Sequence, residues 1–161
     1  MGKEYSISVS TDNPLEALPF EDVSVDDWFY ADAQFAYAFG LMEGTSSESP
    51  SFSPRSPMTR AMVWTMLARL SGETITGETW IEAAQAWAIE TGVSDGANPN
   101  GSVTRRQLAT MLYRYAGGVD GWPDEAMEWV QNLGIINDGR PDDTAVRSEV
   151  AAIFHRYLEN L

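Results

Sequence analysis

Cysteine is missing from these 161 residues, so disulfides and thiolate metal or redox sites are excluded. Lysine is almost missing too: Lys3 stands alone against nine arginines. Histidine occurs once, at His155. No run of about 18 apolar residues is present, so no membrane-spanning helix is expected. The first residues lack the charged, apolar and small-residue order of a secretory leader, so no export signal is expected in this stretch. Positive charge is scarce: the formal net charge is -14, which argues against a surface that tracks nucleic-acid phosphates. No glycine-rich phosphate loop and no cluster of metal-ligating side chains stands out, so neither a cofactor nor a metal is expected. With 43% hydrophobic residues, the chain can still build a sizeable core.

What is present is a repeat. Thr59-Arg60-Ala61-Met62-Val63, Thr104-Arg105-Arg106-Gln107-Leu108 and Val146-Arg147-Ser148-Glu149-Val150 share one pattern. Each is followed by a second arginine nine residues after the first: Arg69, Arg114 and Arg156. Upstream, Trp28, Trp80 and Trp122 each stand twelve residues before a glycine, namely Gly40, Gly92 and Gly134. A second glycine follows soon after each: Gly44, Gly96 and Gly139. From first glycine to motif arginine the count is 20 in copy one and 13 in the others, the excess falling in the Ser/Pro-rich stretch 45–57. Landmarks recurring in one order indicate tandem structural units.

Each copy reads as helix, glycine-bearing loop, helix. The apolar spacing predicts first helices at about 28–39, 80–91 and 123–133, each ending where Gly40, Gly92 or Gly134 supplies a left-handed residue. Second helices are predicted at about 59–70, 104–116 and 146–158. Thr104 with Gln107 forms a capping box; Thr59 keeps the cap without the usual partner, and Glu149 keeps the partner without the cap. The resulting fold is all-α: three helix-loop-helix repeats at 20–72, 73–117 and 118–161, behind an N-terminal linker or short helix at 1–19. A lone hairpin cannot bury its apolar stripe, so the copies are expected to pack on one another about a pseudo-threefold axis.

The recurrent arginines divide into two kinds. Arg69, Arg114 and Arg156 fall in the last turn of a helix, where a cation complements the negative helix end, a contribution of about 0.3–1 kcal/mol. Arg60, Arg105 and Arg147 fall in the first turn, where a cation opposes the dipole. An unfavoured residue at three equivalent positions suggests a partner. An anion held by free helix-start amides and the guanidinium fork is one candidate. A bridge to a carboxylate of the neighbouring copy is the other.

These motifs resemble the S-layer homology domain family. The similarity rests on Phe20-Glu21-Asp22-Val23, Trp28-Phe29-Tyr30, Gly40-Leu41-Met42-Glu43-Gly44, Phe52-Ser53-Pro54 and Met58-Thr59-Arg60-Ala61 in copy one. Copies two and three retain Gly92 to Gly96, Val103-Thr104-Arg105-Arg106-Gln107, Gly134 to Gly139 and Arg147-Ser148-Glu149, but lack the Phe-x-Asp-Val opening. The resemblance implies a three-pronged, pseudo-threefold bundle in an exported bacterial protein, held non-covalently at the cell wall or S-layer. The ligand it implies is a secondary cell-wall polysaccharide, often pyruvylated, lying in grooves between repeats. Carried over by position, the ligand-binding residues are Arg60, Arg105 and Arg147, with Thr59 and Thr104 and the glycines Gly44, Gly96 and Gly139 beside them.

Other constellations are weaker. Aligning Gly101 with the glycine of a calcium loop puts Gly96 and Gln107 where acids should coordinate. His155 lies in a last helical turn, where capping explains it. Glu21, Asp22, Asp26 and Asp27 precede a helix, where acids are favoured, so a glycosidase pair is not needed to explain them. The tryptophans fall within the apolar spacing and are expected mostly in the core. No set of acid, base and nucleophile suggests an enzyme. The competing reading is a scaffold with degenerate grooves that binds other surface proteins.

Overall fold

A computed structural model describes residues 18–45, 50–118, 123–136 and 139–161. The expected linker at 1–19, apart from its last two residues, and the landmark Trp122 lie outside the described residues. Among the described residues there are six helices: α1 (Tyr30–Ala38), α2 (Arg60–Leu70), α3 (Trp80–Thr91), α4 (Arg105–Tyr115), α5 (Pro123–Asn132) and α6 (Arg147–Glu159). Among the described residues the only β pairing is two isolated bridges, Thr59 with Ser102 and Thr104 with Thr144. The all-helical reading therefore stands, with helix bounds close to those expected.

The local signals act as anticipated. Gly40, Gly92 and Gly134 take φ values of 68°, 78° and 70°, ending α1, α3 and α5 in the left-handed region that glycine enters without strain. The Gln107 amide donates to Thr104 Oγ1 at 3.1 Å, and the Thr104 amide returns to Gln107 Oε1 at 3.0 Å. At α2 the reciprocal contact runs from the Thr59 amide to the Met62 sulfur at 3.5 Å. At α6 the Val146 amide donates to Glu149 Oε1 at 3.1 Å, keeping half a box without a capping hydroxyl.

The chain divides into two compact units. One comprises 57–145 in its described part; the other comprises 18–56 and 146–161. In the first unit α2 packs on α3 and α4 on α5; in the second α1 packs on α6. Each packed pair thus joins helices of different sequence copies, whereas a simple hairpin would join the two helices of one copy. Connection length explains two of the pairs. The segments 71–79 and 116–122 are shorter than the glycine loops 39–59 and 92–104, and short connections make antiparallel neighbours. Nothing local dictates the third pair, which joins the first and last of the described helices.

Close packing in the first unit depends on small residues. Ala84 and Ala88, one turn apart on α3, are fully buried, as are Ala61, Trp64, Leu67 and Ala68 of α2. Ala126 and Val130 hold the matching positions on α5. In the second unit Phe29, Phe35, Phe52 and Phe154 form an aromatic core with Leu41 and Ile153. At the register of Ala84, α1 instead carries Asp32, which meets His155 Nδ1 of α6 at 2.9 Å.

A closed cycle of backbone hydrogen bonds lies in the first unit. The Met58 amide donates to Ala145 O at 3.1 Å, Ala145 to Val103 O at 2.9 Å, and Val103 to Met58 O at 2.9 Å. These three residues immediately precede the motifs at Thr59, Thr104 and Val146, and all are buried. Each otherwise orphaned amide and carbonyl is satisfied without a sheet.

A candidate ligand-binding cleft

The cycle fixes where the second helices begin, and therefore where the motif arginines emerge. The first-turn amides, offered to an anion on sequence grounds, already have acceptors. Arg60 and Ala61 donate to Gly101 O at 2.9 Å and Pro99 O at 3.0 Å. Arg105 and Arg106 donate to Asp143 O at 3.0 Å and Pro141 O at 2.7 Å. Arg147 and Ser148 donate to Ser56 O at 2.9 Å and Pro54 O at 3.0 Å. A proline-centred turn of another copy thus closes each helix start, so the amides are not open for a ligand.

The guanidinium groups grip backbone in the same way. Arg60 Nε donates to Ala97 O at 2.8 Å and Nη2 to Ser94 Oγ at 3.3 Å, with the Asp95 carboxylate 3.8 Å away. Arg147 Nε donates to Phe52 O at 2.7 Å and Nη2 to Glu43 O, while its guanidinium lies 5.1 Å from the Phe52 ring centroid. Burial pushes the Arg147 pKa down from its ordinary value, and the charge of Asp22 opposes that shift. Arg105 is only 5% exposed. Arg60 and Arg147 thus hold loop carbonyls, and the bridge to a carboxylate of the neighbouring copy, the expected alternative to a ligand, is present at Arg60 with Asp95.

Arg60 nevertheless contributes to an open feature. In the first unit a cleft of about 240 Å³ is lined by Arg60, Val93, Ser94 and Asp95, and across from them by Arg106, Gln107, Thr110, Met111 and Arg114 of α4. Arg114 also donates from Nη1 to Val93 O at 3.4 Å, tying α4 to the loop after α3. Arg106 contacts the carboxylates of Asp142 at 3.1 Å and Asp124 at 3.4 Å, which are 81% and 98% exposed. Ion pairs so exposed contribute little and exchange readily with another anion. Three guanidinium groups and one carboxylate line this recess, and the two further carboxylates that meet Arg106 lie outside the lining, in a chain of net charge -14.

The sequence-derived residues distribute unevenly around it. Arg60 is in the lining, whereas Arg105 is not among the lining residues and Arg147 belongs to the other unit. Thr59 and Thr104 use their hydroxyls as caps, accepting from the Met62 and Gln107 amides, both at 3.1 Å. Gly96 is next to the lining residue Asp95; it has φ +78°, and a Cβ there would meet Ile89 Cδ1 at 2.6 Å. Gly44 is in the second unit, where a Cβ would lie 3.0 Å from Phe20 Cε1, and Gly139 has nothing within 4 Å. The three second glycines therefore do not share one role.

Sequence reasoning missed Arg106 and placed Arg114 with helix-end structure. The signal was available: Arg106, Thr110 and Arg114 stand four residues apart on α4 and so share one face. The tryptophan expectation also needs correction. Trp64 is fully buried, but Trp28 is 63% exposed, because α1 begins only at Tyr30 and leaves Trp28 on the turn before it.

Comparison with known proteins bears on the N-terminal part of this arrangement. The sequence model of the S-layer homology domain matches residues 19–61. The chain is also 30% identical over 118 residues to an endoglucanase from Bacillus sp. (strain KSM-635), an alignment covering 65% of this chain and 12% of that protein. The chain thus corresponds to a small part of the relative's length. An S-layer homology domain is a bacterial cell-surface anchoring module that binds cell-wall polymers, which implies association with the cell surface. No described helix is long and apolar enough to cross a membrane.

Proposed function

We propose, from the S-layer homology domain at 19–61, that the whole segment 20–161 is an anchoring module of three tandem repeats. The repeats are 20–72, 73–117 and 118–161, related by a pseudo-threefold axis. Two observations support this reading: the hydrogen-bond cycle through Met58, Val103 and Ala145, and the equivalent carbonyl closures of α2, α4 and α6. The module holds its parent protein at the outside of a bacterial cell by binding an anionic secondary cell-wall polysaccharide, with pyruvylated sugar as the favoured ligand. It performs no chemistry on the polymer.

The observation that carries the proposal is the convergence of Arg60, Arg106 and Arg114 on one recess of an acidic chain. Planar guanidinium groups match a carboxylate in two-point geometry, and Ser94, Gln107 and Thr110 add neutral partners for sugar hydroxyls. Met111 and Val93 supply an apolar wall for a ring face or methyl group. Arg60 has two functions here, bracing the loop at Ala97 and lining the recess. Arg105 and Arg147 act chiefly in the closures of their helices, with Thr59, Thr104 and the glycines shaping the loops. The deciding experiment is co-sedimentation with cell-wall sacculi carrying or stripped of their polysaccharide. Retention only on the intact sacculi supports the function; equal retention on both sinks it.

A further inference from the structure

A second cleft, of about 440 Å³, lies wholly in the other unit, lined by Asp22, Asp27, Phe29, Ser53, Pro54, Arg55 and Ser56. Its volume is within the range of small-ligand sites, about 300–1,000 Å³. Its chemistry differs from that of the arginine cleft. Asp22 is held rigidly, its two oxygens accepting from the Phe52 and Ser53 amides, each at 2.8 Å. Asp27 is fixed by the Ser24 amide at 2.8 Å. Each carboxylate retains lone pairs for further donors. Arg55 is exposed, and among the described residues none takes up its five donors.

The aromatic side of the cleft extends outward. Phe29 lines it, and the exposed indole of Trp28 meets Phe29 edge-on with ring centroids 5.4 Å apart. Beside Trp28, Val25 is also exposed. A large aromatic left in water next to oriented polar groups is poor for stability and suited to an amphipathic ligand.

From this we infer a second saccharide subsite, formed by Asp22, Asp27, Arg55, Phe29 and Trp28, that takes an uncharged sugar ring. Asp22 and Asp27 present acceptors and no donors, so they offer nothing to a carboxylate ligand. A pyranose instead offers hydroxyls that donate to the carboxylates and accept from Arg55, and a C–H face that lies on an aromatic ring. The inference rests on the anchoring function above and divides the labour: the arginine cleft reads the anionic residue of the polymer, and this cleft reads a neutral one.

The test uses oligosaccharide fragments of the polysaccharide whose carboxyl groups have been reduced to alcohols, titrated into the ¹⁵N-labelled chain. The Trp28 indole N–H signal is expected to shift. Arg55→Ala and Trp28→Ala are each expected to weaken fragment binding about tenfold with little change in the unfolding curves, since both side chains are largely exposed. If the reduced fragments leave the Trp28 signal unmoved while the native polymer still binds, the subsite does not exist. Fragment binding that survives both substitutions overturns it equally. Failure of the native polymer to bind the parent chain contradicts the anchoring function itself, so the two failures are distinguishable.

Discussion

Arg60 Nε donates to the carbonyl of Ala97 at 2.8 Å across a sequence separation of 37 residues. The Arg60 backbone amide is meanwhile closed by Gly101 O at 2.9 Å. One residue of α2 therefore orders the whole loop from Ser94 to Gly101, which forms one wall of the arginine cleft. This explains a cation in a first helical turn, where the macrodipole disfavours it: bonds to oriented carbonyls outweigh a dipole penalty of about 0.3–1 kcal/mol.

Arg60→Lys separates the two duties of that residue. Lysine keeps the charge but cannot reproduce the fork to Ala97 O and Ser94 Oγ. Stability is expected to fall by about 1–2 kcal/mol in urea unfolding. Polysaccharide affinity is expected to fall even though the charge is kept, because the loop wall loosens.

Arg147→Ala is expected to be the more damaging substitution. Arg147 is 7% exposed and holds the Phe52 and Glu43 carbonyls. Removing it leaves those acceptors without their donor and opens a void against the Phe52 ring, a loss of about 3–4 kcal/mol. Equilibrium denaturation checks this, and a loss below that of Arg60→Ala would contradict it.

The glycines provide an internal contrast. Gly96→Ala combines φ +78° with a Cβ 2.6 Å from Ile89 Cδ1, and should cost about 1–3 kcal/mol. Gly139→Ala has open space around its Cβ and should stay within about 0.5 kcal/mol of the parent. Thermal unfolding of the pair is sufficient to distinguish shared from individual roles.

The α1–α6 contact contains its own test. His155 meets Asp32 at 2.9 Å and Glu159 at 3.1 Å and stacks on Phe35 with ring centroids 4.3 Å apart. An imidazole offers a donor at both nitrogens only when it is protonated. A double-mutant cycle with Asp32→Ala and His155→Ala should show a coupling of about 0.5–1.5 kcal/mol in unfolding free energy. A coupling near zero would mean that the Asp32 carboxylate adds nothing to the packing of the two helices.

Most of the helical skeleton was legible because its signals are local. Apolar spacing, the Thr104–Gln107 box and the left-handed Gly40, Gly92 and Gly134 all act within a few residues. The partners of the helices were not legible, since the pairing of α1 with α6 is set by contacts far apart in sequence. The closure of each helix start by a distant proline turn was hidden for the same reason. At the candidate site, the repeated position revealed Arg60; Arg106 was hidden because only one copy carries an arginine there, and Arg114 was assigned to the helix end. Trp28 was misplaced because spacing cannot show where a helix begins.

The account depends on binding by the recess of Arg60, Arg106 and Arg114. Its most direct test is the affinity of Arg106→Ala for purified anionic cell-wall polysaccharide, measured by calorimetry at two salt concentrations. The ion pairs of the Arg106 side chain are with exposed carboxylates, so the fold should be little affected. The expected result is an affinity loss of about tenfold and a weaker salt dependence than the parent. An unchanged affinity and an unchanged salt dependence would contradict the assignment of this cleft as the anchoring site.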